Sequence, residues 1–180
     1  MQNDLDKVIA SLKFLGLKLD ITTYNGRFFV QKTAHLAQSL GLETHYCFTI
    51  YVAGPYSHSL ALDYYANQAK VDALQTEYEL TANDKIVLGK IRESLDLYED
   101  MDLMGCTATV VHLMKENPRL RDSDIIAKIH DLKKHLNDAT CVIGISKAKE
   151  LLFKPEYLTE KVKEEIKCWS NMADGFPKDG

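Results

Sequence analysis

The sequence predicts a mainly α-helical domain with a small antiparallel β element, winged-helix-like in its amino-terminal half. Three observations predict it. Apolar residues recur at three- and four-residue spacing through most of the chain, as in helices with one buried face. One stretch alternates instead: Tyr46, Phe48, Ile50 and Val52 point one way, and His45, Cys47, Thr49 and Tyr51 the other. Gly54-Pro55 then reads as the end of that strand, because proline cannot donate to a sheet and glycine permits a sharp turn.

Taken in order, Asn3 or Asp4 caps a first helix carrying Leu5, Val8, Ile9 and Leu12, and Gly16 stops it. A short extended link over residues 17–21 comes next. Thr23 or Asn25 starts a second helix that runs to about Gly41, a C-cap residue. Its apolar stripe holds Phe29, Val30, Thr33, Ala34, Leu36, Ala37 and Leu40, and its other side carries Arg27, Gln31, Lys32, Gln38 and Ser39, with His35 near the boundary. After the strand and corner, Ser57 or Ser59 caps a helix over about 59–70. Glu77-Tyr78-Glu79-Leu80 alternates again and reads as a second strand pairing back on the first.

From here the chain reads as helix. Thr81 with Asp84 resembles a capping box and opens a helix with Ile86, Leu88, Ile91, Leu95 and Tyr98. Helices are expected over 105–116, after Asp122 or Ser123, and over 145–153 with Ser146 as cap, Asn137-Asp138 being a break. A last helix over 160–172 carries Val162, Ile166 and Trp169, and residues 174–180 read as a frayed tail. The expected organisation is one domain over residues 1–180, with a winged-helix-like part over about 23–104, a helical part over about 105–172 and a tail over 173–180.

Composition narrows the function classes. Hydrophobic residues make up 46% of the chain, enough for a proper core. The net charge of −4 gives no reason to expect non-specific nucleic-acid binding. No apolar run approaches the ~20 residues that cross a bilayer, and the start of the chain lacks the pattern of a signal peptide, so the expected location is cytoplasmic with no membrane partner. Cys47, Cys106, Cys141 and Cys168 form no Cys-x-x-Cys pair, so neither a zinc ribbon nor a thioredoxin-like site is indicated.

Motifs that carry chemistry are missing. There is no glycine-rich phosphate loop and no Gly-x-Ser-x-Gly elbow. His45 with Cys47 on one strand face, or Asp131 with His135 on one helix face, supplies two metal ligands, and two ligands are not a site. His112 lies in an apolar helix face and reads as a core histidine. Glu99-Asp100 with Asp102 reads as a solvated acidic helix cap. The expectation is therefore no catalytic residue, metal or cofactor. One alternative is an enzyme or ligand-binding protein with an unfamiliar site around His45, Cys47 and His112; another is a DNA-binding regulator, but the helix after the corner has no Lys or Arg, and Glu77 and Glu79 would repel phosphate. There remains a candidate recognition surface at the corner, formed by Tyr51, Tyr56 and Ser57 beside Arg27 and Lys32.

The expected partner, another protein, comes from a resemblance. Arg27-Phe28-Phe29-Val30-Gln31-Lys32, continuing through His35-Leu36-Ala37-Gln38, resembles the Arg-x-x-x-Gln-Lys-x-x-Tyr-Leu-x-Gln helix of the YwgA-like family. Tyr46 with Phe48, the Gly54-Pro55-Tyr56-Ser57 turn, Leu60 with Asp63, and Tyr78-x-Leu80-Thr81 are similar to the strand, turn and helix that come after that helix in the family. His35 stands where a tyrosine is usual, and Ala53 where a larger or basic residue is. The pattern is distantly similar to Panacea antitoxin-like domains as well. That resemblance implies a non-enzymatic protein-binding module of antitoxin or regulatory type.

Overall fold

The computed structural model describes residues 2–95 and 100–153. The expected last helix with Trp169, the tail, Cys168, Tyr98 and Glu99 lie outside the described residues. Within them the chain is mainly helical with a two-stranded antiparallel sheet. The elements are α1 (Gln2–Phe14), α2 (Tyr24–Ser39), β1 (Thr49–Tyr51), β2 (Gly54–Tyr56), α3 (His58–Ala66), α4 (Gln68–Asp72), α5 (Ala82–Ser94), α6 (Met101–Glu116), α7 (Asp122–Leu132) and α8 (Asp138–Leu152). No helix among them is long and apolar enough to cross a membrane.

The core is organised on α6. Every residue from Met104 to Leu113 is buried, so this helix is covered on all sides. It packs most extensively on α8, and also on α2, α7 and β2. The approach to α8 is close because residue 144 is glycine: a Cβ there would lie 2.6 Å from Cys106 Sγ. One apolar cluster runs from Leu5 in α1 to Leu151 in α8.

Local signals set several helix ends. Thr23 accepts from the Gly26 amide at 3.1 Å and starts α2. Ser57 accepts from Leu60 at 3.3 Å and starts α3. Thr81 and Asp84 form a reciprocal capping box, with bonds of 3.1 and 2.9 Å. Beyond α2, Gly41 has φ +114°, and the Leu42 amide donates back to Ala37 at 2.9 Å.

Other boundaries differ from expectation. α1 is already helical at Gln2, and Asp4 does not cap it: its carboxylate accepts from the His45 amide at 3.2 Å and lies 3.1 Å from the imidazole. The helix expected over 59–70 is broken at Asn67 into α3 and α4. α6 begins a turn early, because Asp100 accepts from the Leu103 amide at 2.7 Å. α7 starts at Asp122, preceded by Arg121, which makes no capping bond and pairs with Asp124 instead. Asn137 is a cap rather than part of a break, accepting from Thr140 at 2.8 Å, and α8 starts directly after it, with no role for Ser146 at its start.

The β element also differs. Gly54-Pro55 does not end the sheet; it is the second strand. Val52 and Ala53 make a two-residue turn, and Thr49, Ile50 and Tyr51 pair with Tyr56, Pro55 and Gly54. The alternation of the strand therefore stops at Ile50, and Val52 is 76% exposed at the turn. Residues 77–80 form no ladder. They alternate in burial because they lie extended on the surface, with Thr76 bonded to Asp6 at 3.0 Å and the Lys7 ammonium 5.7 Å from the Tyr78 ring centre.

Candidate functional site: an aromatic cleft over two buried lysines

The hairpin has only one strand partner, so its remaining backbone groups need other partners. α2 supplies them. Gln31 Nε2 donates to the Ser57 carbonyl at 2.9 Å, and its Oε1 accepts from the Ser57 amide at 2.8 Å. Lys32 Nζ donates to the Pro55 carbonyl at 2.7 Å. This pair of side chains clamps the hairpin and the start of α3 onto α2. Both are buried, at 3% and 2% exposure, although their spacing places them on the polar side of the helix. α2 is thus covered on that side too, by the hairpin.

The clamp leaves a cleft of about 270 Å³ between α2, the hairpin and α3. Tyr24, Arg27, Phe28 and Lys32 come from α2, Tyr51 and Tyr56 from the hairpin, and Tyr64 and Tyr65 from α3. Tyr24, Tyr51 and Tyr65 are 58%, 66% and 54% exposed at its rim. The Tyr51 and Tyr56 rings lie 5.9 Å apart. No carboxylate is among the lining residues.

Four of the five residues expected at a recognition surface therefore meet here: Arg27, Lys32, Tyr51 and Tyr56. Ser57 does not. It is fully buried, and its hydroxyl is committed to Leu60 and Ser59. Arg27 is partly committed as well, donating from Nη1 to the Ile21 and Thr22 carbonyls at 3.0 and 2.6 Å. The sequence does not single out Tyr24 or Tyr65 for this surface.

The Lys32 ammonium lies in apolar surroundings, 5.3 Å from the centre of the Phe28 ring. Burial, helped by repulsion from Lys133, lowers its pKa to about 7. Lys133, just after α7, is 7% exposed, and burial lowers its pKa too. Gly54 lets the hairpin approach: its φ is +91°, and a Cβ there would meet Thr109 Oγ1 at 2.5 Å.

A second cluster lies on the far part of α2. His35 Nε2 is 3.3 Å from His112 Nδ1, and His112 Nε2 is 3.2 Å from Glu116. His35 Nδ1 is buried with no hydrogen-bond partner. The arrangement favours one set of tautomers. His112 donates from Nε2 to the carboxylate, and His35 donates from Nε2 to His112, which leaves His35 Nδ1 as a bare lone pair rather than an unpaired N–H. Burial lowers the His35 pKa to about 3, and His112, Lys32 and Lys115 add to the effect. His112 is thus a hydrogen-bonded core histidine.

The two pairs considered as metal ligands stay apart from this. His45 is bound to Asp4, and Cys47 is exposed. α7 ends before His135, which lies 3.3 Å from Asp102 rather than pairing with Asp131. Among the described residues no group of three or more His, Cys, Asp or Glu side chains is placed to hold a metal ion.

No family model matches the chain, and no curated protein or solved structure matches it either.

Proposed function

We propose that the protein is a non-enzymatic interaction module, of antitoxin or regulatory type, that docks a segment of a partner protein in the aromatic cleft. The observation that carries this reading is the exposure of Tyr24, Tyr51, Val52 and Tyr65 around one concavity, with Arg27 beside them. Large apolar side chains grouped at the surface mark recognition sites more often than scattered ones do. Tyrosine and arginine dominate binding hot spots because they combine large contact area with a polar handle. The clamp by Gln31 and Lys32 supports the reading further, since a rigid cleft loses little entropy on binding. The resemblance to antitoxin-like domains supports the same class.

Duplex DNA is the weaker reading. α3 lines the cleft without a single Lys or Arg, and phosphate contacts depend on such residues.

The test has two steps. Affinity capture from the source lysate, with nuclease, identifies a partner whose retention survives nucleic-acid removal. Direct titration of that partner comes second. Tyr51→Ala and Tyr65→Ala should each weaken binding about tenfold or more, about 1.4 kcal/mol, with the urea midpoint unchanged. If both variants bind like the parent, the cleft is not the docking site.

A further inference from the structure

Lys32 lines the cleft, and Lys133 lies next to it, behind Gly54, without lining it. Lys32 and Lys133 are both more than nine-tenths buried, and neither forms an ion pair among the described residues. An ammonium has three donors. Lys32 uses one, on the Pro55 carbonyl. Lys133 Nζ is nearby: it would be 3.4 Å from a Cβ on Gly105, which in turn would be 3.3 Å from Phe28 Cζ. Its Cε would be 3.8 Å from a Cβ on Gly54. Lys32 and Lys133 thus lie near Phe28 and the Gly54-Pro55 strand, neither with an ion-pair partner among the described residues.

Burying a cation without its counter-ion is unfavourable, and an anion arriving nearby relieves it. None of the described residues lining the cleft is an anion. α2 adds Arg27 and, further along, His35. The hairpin lines the cleft with Tyr51, Val52, Ala53, Gly54 and Tyr56, and α3 with Tyr64 and Tyr65; the one carboxylate of α3, Asp63, is not in the lining and accepts from the Tyr46 hydroxyl at 2.9 Å. α6 presents Gly105 and Thr109 to the strand. The carboxylate that acts on Lys133, Asp102, is 64% exposed and already lies beside His135.

We propose that the cleft is a carboxylate receptor: the partner segment carries an acidic group beside an aromatic or aliphatic side chain, the carboxylate docking at Lys32 and the apolar side chain among the tyrosines. This rests on the docking reading above and names the chemistry it selects. Charge complementarity argues for it, as does the cleft's size, which suits one or two side chains rather than a whole helix.

Binding of this kind depends on pH. With Lys32 releasing its proton near pH 7 in the free protein, the amine is charged and ready at lower pH. At higher pH each carboxylate must bring a proton in with it, so affinity should fall about tenfold per pH unit above 7 until the raised pKa of the bound state is reached.

Hydrocinnamate and its neutral amide are suitable probes, titrated into the full chain and followed by NMR. Hydrocinnamate should shift the cleft resonances saturably at pH 6, about tenfold or more tighter than the amide and about tenfold tighter than at pH 8. Lys32→Met should abolish the preference for acid over amide. Ser57→Ala, which loosens the same corner without altering charge, should keep it. Equal binding of acid and amide, or binding of neither, overturns the carboxylate inference. If Tyr51→Ala still weakens the partner in that case, the docking reading stands alone. If hydrocinnamate binds as expected but Tyr51→Ala leaves the partner unaffected, the docking reading falls and the inference built on it falls too.

Discussion

Gln31 shows how one side chain can stand in for a missing strand. Its amide reproduces the paired donor and acceptor of a ladder neighbour for Ser57. Gln31→Leu would leave the Ser57 amide buried and unpaired, while the Ser57 carbonyl keeps the Ala61 amide at 3.1 Å, so we expect a loss of about 1–3 kcal/mol, read from urea unfolding. This role is not legible in the sequence. A glutamine and a lysine on the polar side of an amphipathic pattern read as solvent-facing, and only the distant hairpin makes them interior. His35 reads as a boundary residue for the same reason. It is 3% exposed and stays neutral down to about pH 3, whereas an unfolded histidine takes up a proton near 6.5. The unfolded state therefore binds the extra proton between those values. Stability is lost as pH falls through that window, by up to about 1.4 kcal/mol per pH unit from this group. Comparing the parent with His35→Leu from pH 7 to 4 should show the variant with the shallower decline; parallel curves would mean that His35 is protonated in the folded state.

At the scale of elements, the hairpin is the part on which the cleft depends. Gly54 has a left-handed backbone and no room for a Cβ beside Thr109. Gly54→Ala should cost about 1–3 kcal/mol and also weaken partner binding, because Tyr51 and Tyr56 move with the strand. An unchanged urea midpoint would refute the packing argument. Helix starts such as Thr23, Ser57 and the Thr81–Asp84 box are legible because capping is decided within four residues. The hairpin is not, because its turn, Val52-Ala53, lacks the Asn-Gly or Asp-Gly signal of a two-residue loop and its glycine sits one place later, in the strand. The alternation over 77–80 is real, but alternation reports an extended segment lying on a surface, and a ladder partner is a separate matter.

At the scale of the whole molecule, the mainly helical class is legible from periodicity alone, and four of the five residues expected at the corner line one cleft. The tyrosine-rich rim as a unit is not, because helix α3 reaches the site only through the corner that precedes it. The continuity of the core from α1 to α8 predicts a single unfolding transition. Gly144→Ala, which drives a methyl against Cys106 at the α6–α8 contact, should lower the midpoint by far-UV circular dichroism and by tyrosine fluorescence together; separate shifts would divide the protein into independent units. The same contact gives the protein a built-in reporter. Cys106 and Cys141 are buried free thiols, and burial pushes Cys106 up to about 12 and raises Cys141 as well. The thiolate is the form that reacts, so neither can be alkylated while α6 and α8 stay together. Cys47, exposed beside the hairpin, should react at once. The delay between its modification and theirs measures how often the folded chain opens, with no label added, and a tightly held partner should lengthen it.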